Sequence, residues 1–235
     1  MLNKQVMFSQ AIRGLFEIPV ECSVATIAMY EAPVFPEEAA SIAHAIAPRR
    51  REFAAGRACA RDALVQLGLP RVSIPMGHRR QPIWPTGFIG SISHCPELCC
   101  AVATSANEAA SIGIDVDLAE LLPSRLTGII CSDREVARLP KTSSPISDLW
   151  TKIIFCTKEA FFKCYYPITE KFIDFSEVDI DITVLSPQSG TFTAEFSGQE
   201  GYFFSHRATQ DYKFSGRWQL IEKVILASAW ATALR

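Results

Sequence analysis

The chain is predicted to be α+β: it holds two long helical segments, a series of short strand-like runs beside or after each, and proline and glycine punctuation between them. A helix leading into antiparallel strands, met twice, describes two similar, pseudo-duplicated α/β lobes, expected over 1–120 and 121–235. No repeat of residues accompanies this layout, so the likeness of the halves is architectural.

In chain order, residues 20–30 are apolar and β-tolerant, and Pro33 and Pro36 close that strand before a helix opens on Glu37 and Glu38. Residues 49–67 place Phe53, Ala60, Leu64 and Leu67 on one helical face and stop at Gly68. Strands follow at 83–84, 88–93 and 98–104, separated by Pro82, Pro85, Gly87 and Pro96, then at 111–117. Residues 122–145 are loop-rich, with a short helix at 133–139. The strongest helix spans 148–166, capped by Ser147 or Asp148 and ending before Pro167. Runs at 178–185, 192–196, 202–205, 218–221 and 224–229 supply the second group of strands.

Composition narrows the function. The 235 residues are 49% hydrophobic and 20% charged, with 23 basic against 25 acidic side chains, so the chain can bury a core and carries no overall field for nucleic acid or an anionic membrane. Any polyanion must be met by a local cluster. The eight cysteines sit mostly in apolar runs without zinc-ligand spacing, which suits buried thiols in a reducing, cytoplasmic setting. The N-terminal apolar stretch is broken by Ser9, Gln10 and Arg13 and does not read as a signal peptide, and no window reaches the ~18 apolar residues of a membrane span.

Several groups could carry chemistry. Asp115 and Asp117 lie two residues apart on an apolar strand, hence on one face, and two such charges call for a cation such as Mg2+; the alternative is a solvated strand edge. Asp179 and Asp181 repeat the spacing in a plain alternating pattern and read as a solvated face. Glu159 and Lys163 share one face of the strongest helix, with Lys158 beside them, and the aromatic residues around them imply burial, so these charges need partners. Arg49, Arg50, Arg51, Arg57 and Arg61 form the densest positive cluster and suit discrete phosphates better than a nucleic-acid surface. Gly56 inside that helix implies close approach by another group. Ser93 and His94 lack the Gly-x-Ser-x-Gly elbow of a hydrolase and point to opposite strand faces, so phosphate-binding roles are preferred.

Four motifs, RRREFAAGR from Arg49, RRQPIWPTGFIGSISH from Arg79, IGIDVD from Ile112 and FCTKEAFFK from Phe155, occur in the order and approximate spacing of the Sfp-like 4′-phosphopantetheinyl transferases. The chain resembles that family, nearest the enterobactin-synthetase component D branch, over its middle half. The resemblance implies an active site in the cleft between the lobes. It implies transfer of the phosphopantetheine arm of coenzyme A to a serine of an apo acyl or peptidyl carrier protein, leaving adenosine 3′,5′-bisphosphate, with Mg2+ required. It assigns Asp115, Asp117 and Glu159 to the metal and Glu159, Lys163 and Asp115 to catalysis. Arg49, Arg57, Arg80, Ser93, His94 and Lys158 are assigned to coenzyme A, and Glu135 matches a further family acid. Siderophore or other secondary metabolism follows from the branch, and a monomer suffices if one chain forms the cleft. Asp-x-Asp here replaces the family's usual Asp-x-Glu. The shorter Asp117 would reach the ion through water, weakening Mg2+ or favouring Mn2+. The rival readings are a catalytically inactive coenzyme A or nucleotide-binding module, and an interaction protein whose charges are structural ion pairs. Residues 121–138, between the lobes, are the expected carrier contact.

Overall fold

The computed structural model describes residues 2–138, 145–196 and 211–234. Helix α1 (Leu2–Gly14) precedes β1 (Glu21–Val24), the short α2 (Pro36–Ala39) and the long α3 (Ala47–Gln66). Strands β2 (Phe88–Cys95), β3 (Leu98–Ser105) and β4 (Ser111–Leu118) follow. The short helices α4 (Thr127–Ile130), α5 (Asp133–Ala137) and α6 (Pro145–Asp148) lead to the long α7 (Trp150–Thr169). The chain ends in β5 (Val178–Ser186), β6 (Ser189–Phe196), β7 (Tyr212–Ile221) and β8 (Val224–Ala233). The run expected at 202–205 lies outside the described residues.

Two antiparallel sheets result, one of three strands in the order β1-β3-β2 and one of five in the order β4-β8-β7-β6-β5. The α+β expectation holds: α3 packs Cys59, Ala60, Ala63 and Leu64 on the first sheet, and α7 packs Ile153, Phe161, Cys164 and Tyr165 on the second. Helix α1 inserts Phe8 and Ile12 among Val102 of β3, Ile114 of β4 and Trp230 of β8, so one core spans both sheets. Because β4 pairs with β8, the chain changes sheet between Ser105 and Ser111, ahead of residue 120.

Local chemistry explains where elements depart from expectation. The strand expected over 20–30 stops at Val24: Ala25 N–H makes one last bond to Cys99 O, and residues 27–31 coil away from β3 into a 3-10 turn. Residues 83–84 form no strand; between Pro82 and Pro85 only an isolated bridge, Met76 to Pro82, survives. Pro167 lies inside α7 rather than after it. In the last turn it forfeits only the bond to the Lys163 carbonyl, and the helix closes on left-handed Glu170. Neither Ser147 nor Asp148 is its cap; that position is Leu149. Asp179 is buried at 4% exposure below Arg134, which corrects the reading of a solvated Asp179–Asp181 face, while Asp181 is exposed beside Arg138.

Two glycines mark close approaches. A Cβ on Gly113 would lie 2.0 Å from the Ala160 carbonyl oxygen, so β4 can rest against the α7 backbone only as glycine. One on Gly56 would meet Ile92 Cγ2 at 2.9 Å, bearing out the close contact expected of that residue. All eight cysteines are free thiols, and seven are buried.

Candidate active site

Where β2 of the first sheet meets β4 of the second, serine hydroxyls stand in for a backbone ladder. Ser91 Oγ accepts from Ile114 N–H at 3.1 Å and Ser93 Oγ from Val116 N–H at 3.2 Å. This seam fixes the register of β4 and presents Asp115 and Asp117 along one side of it. Asp115 Oδ1 accepts from Ser93 Oγ at 2.9 Å and from Lys163 Nζ at 2.7 Å, and Lys163 also donates to Ser93 Oγ and to the Ile114 carbonyl. Helix α7 thus delivers Lys163 to the seam because Gly113 lets its backbone approach.

Glu159 stands one turn before Lys163 and lies on the wall shared by two cavities. One, about 470 Å3, is lined by Glu52, His94, Asp115, Asp117 and Phe155. The other, about 640 Å3, is lined by Arg79, Arg80, Trp84, Lys163, Phe162 and Phe172. Among the described residues Glu159 has no ion pair. Burial pushes its carboxyl above the usual range; Lys163 opposes this, and Asp115 and Asp117 add to it. For Lys163, burial pulls the ammonium down, but Asp115 and Glu159 outweigh it and hold the group above its usual value. One half-buried carboxylate ready to take a proton thus faces one firmly charged ammonium.

His94 Nε2 lies 2.9 Å from Arg49 Nη1, and Glu52 bridges the two at 3.3 Å from Arg49 and 3.7 Å from His94. Arg57 is 5% exposed, its guanidinium 4.3 Å from the Phe53 ring centroid. Burial pulls it down to about 10, with Glu38 opposing and Arg61 and Arg49 adding to the fall. Its Nε is buried without a hydrogen-bond partner among the described residues, and Arg57 lines neither cavity. Arg80 sits in the larger cavity with a left-handed backbone, φ 68°.

Two residues assigned to coenzyme A, Lys158 and Ser93, and three members of the arginine cluster are engaged elsewhere. Lys158 does not face the cleft: at 1% exposure it donates to Glu135 at 2.7 Å, Ile130 O at 2.8 Å and Phe175 O at 2.7 Å, which uses all three of its hydrogens. Ser93 is committed to Asp115, Lys163 and Val116, so it seats the acid rather than offering a free hydroxyl. Arg61 is consumed by a buried two-oxygen pair with Glu38 at 2.8 and 2.9 Å, and Arg50 and Arg51 bond outward to Ala45 O and Glu31.

The counter-charge expected of a metal is supplied here in part by lysines, Lys163 on Asp115 and Lys152 on Asp117. Among the described residues no three acidic, histidine or cysteine side chains are gathered into a ready-made cation cluster. Asp115 and Glu159 nevertheless offer oxygen donors to the same cavity, a set that fits a hard dication. Sequence reasoning passed over Lys152 and Glu52. For Lys152 the signal was available, seven residues before Glu159 and therefore two turns along the same helix face.

Residues 37–104 match the family described as the 4′-phosphopantetheinyl transferase N-terminal domain, and residues 111–220 match the 4′-phosphopantetheinyl transferase superfamily. The chain belongs to that superfamily. The two phosphopantetheinyl transferase matches divide where the chain changes sheet, between β3 and β4, with β1 and β8 lying outside them. The phosphopantetheinyl transferase PptT of Mycobacterium tuberculosis is 34% identical over 82% of this chain and 84% of its own. Svp of Streptomyces mobaraensis is 35% identical over 83% of this chain and 77% of its own. Enterobactin synthase component D of Escherichia coli K12, from the expected branch, is 30% identical over 80% of each. No helix among the described residues of this transferase is long and apolar enough to cross a membrane.

Proposed function

We propose that the protein transfers the 4′-phosphopantetheine group of coenzyme A to a serine hydroxyl of an apo carrier protein, releasing adenosine 3′,5′-bisphosphate. The observation that carries this reading is the convergence of Asp115, Glu159 and Lys163 at the seam of the two lobes, beside open arginine donors. The serine oxygen forms a bond to the phosphorus bearing the pantetheine arm, and the bond from that phosphorus to the bisphosphate leaving group breaks. Glu159, with an affinity for protons raised by burial, takes the serine proton. Lys163 faces the charge that builds on the phosphoryl oxygens, and Arg49, Arg57, Arg80 and His94 hold the remaining phosphates and orient the nucleotide end.

Asp115 and Glu159 would hold Mg2+, with Asp117 at the edge of that set. Bound there, the ion would polarise the phosphoryl oxygens and offset the developing charge. The carrier contact falls on residues 121–138, where Leu121, Ile129 and Val136 are exposed at 69%, 62% and 40% near Arg125, Arg134 and Arg138. Apolar side chains rimmed by arginines suit an acidic amphipathic helix. The component D likeness tilts the pathway toward siderophore or related secondary metabolism, in the cytoplasm.

The test is mass spectrometry of apo acyl and peptidyl carrier proteins incubated with the protein, coenzyme A and Mg2+, beside an EDTA control. The reading expects a metal-dependent gain of ~340 Da, one phosphopantetheine group. Coenzyme A binding with no gain on any carrier would instead favour the inactive binding module, which the open Glu159 and firmly charged Lys163 argue against.

A further inference from the structure

Lys152 belongs to none of the four motifs, yet it occupies the metal-facing corner of the site. Its Nζ pairs with Asp117 Oδ2, and Asp117 Oδ1 accepts from the Leu118 N–H at 2.7 Å, so both carboxylate oxygens are engaged by the protein. The Lys152 side chain is 9% exposed, and its ammonium also lies 5.3 Å from the centroid of the Phe155 ring, on the wall of the smaller cavity. Neighbouring Asp115 is held at Oδ1 by Ser93 and Lys163 and interacts with the buried Cys156 thiol, and Glu159 has no ion pair among the described residues. The three acids therefore differ: Asp117 is neutralised by a lysine of its own, Asp115 shares Lys163 with Ser93, and Glu159 is open.

A dication entering this cavity meets Asp117 already neutralised, with an ammonium of like charge fixed beside it. The lysine is tethered to the helix and keeps its place without the dehydration that Mg2+ must undergo to gain an inner-sphere ligand. We infer that Lys152 is a resident cation at Asp117. It confines the metal to Asp115 and Glu159 and holds the metal affinity of the site below what three free carboxylates would give. This rests on the transferase reading for its metal, but not on turnover for its test.

The experiment titrates Mn2+ into the protein with coenzyme A at a fixed saturating concentration and reads the EPR signal of the free ion. Wild type is compared with Lys152→Met, Asp117→Asn and the double variant. Releasing Asp117 should tighten Mn2+ in Lys152→Met by roughly tenfold, from removal of one nearby like charge. Asp117→Asn should weaken Mn2+ by a similar factor, because it leaves the Lys152 ammonium unpaired beside the ion, and the double variant, which removes both charges, should return to near wild type. Unchanged or weaker Mn2+ binding in Lys152→Met overturns the inference. So does a double variant that binds Mn2+ far more weakly than wild type, a result that would make Asp117 a ligand and that stands even if Lys152→Met fails to fold. Failure of the wild type to modify any carrier, with this pattern of Mn2+ affinities intact, would count against the transferase reading alone.

Discussion

The His94 imidazole accepts a hydrogen bond from Arg49, a group that can only donate, so its Nε2 carries no proton in the free protein. Burial lowers its pKa from the ordinary 6.5, Arg49 and Lys163 add to this, and Glu52 and Asp115 oppose it. With a native pKa below the unfolded one, the unfolded chain binds the proton first. His94 therefore costs no stability above the ordinary imidazole range, and its contribution is lost progressively as pH falls from there toward the native value. A phosphate placed between Arg49 and His94 would reverse the balance. We predict that the His94 ring signal in NMR titrates below 6.5 in the free protein and moves to higher pH with coenzyme A bound. An unmoved titration would remove His94 from the phosphate site. At this scale the acids were legible in the sequence because strand alternation and helical spacing bring Asp115, Glu159 and Lys163 together. Lys158 was misread because it adjoins Glu159 in sequence, and neighbours along a helix do not share a face.

Helix α7 carries two functions on two sides. One side brings Glu159 and Lys163 to the cleft; the other sends Lys158 inward to Glu135, whose oxygens also accept from Ile180 N–H at 2.6 Å and Ser132 N–H at 2.8 Å. This buried pair ties α4, α5, the turn at Phe175 and β5 to the helix turn that bears Glu159. Lys158→Met leaves Glu135 charged and unpaired, and should cost about 3–5 kcal/mol, or a melting temperature lower by about 10 °C in calorimetry. At temperatures where the variant is folded, coenzyme A should bind much as in wild type. Loss of coenzyme A binding by the folded variant would return Lys158 to the ligand site. The long helices and most strands were legible because their apolar periodicity is strong. Helix α1 was passed over because Ser9, Gln10 and Arg13 interrupt its apolar run, although Phe8 and Ile12 stand one turn apart and are both fully buried. The early end of β1 and the passage of Pro167 through α7 depend on partner strands and helix position, which residue preference does not encode.

The two sheets meet at a seam made of side chains rather than a continuous ladder, and Asp115 and Lys163 lie along it. On the proposed function the first half would supply Arg49, Arg57, Arg80 and His94, and the second Asp115, Glu159 and Lys163, so neither half would hold a complete site. This division was legible as two helix-and-sheet halves. The place where the chain changes sheet was less so, because β4 follows β3 in sequence yet finds its partner in β8, more than a hundred residues on. The proposed function puts the chemistry at this seam with Glu159 as the proton acceptor. The deciding comparison is wild type against Glu159→Gln, for carrier modification by mass spectrometry and for coenzyme A binding by calorimetry. Turnover should fall by about 10²- to 10⁴-fold with coenzyme A still bound. Near-normal turnover in Glu159→Gln would contradict it.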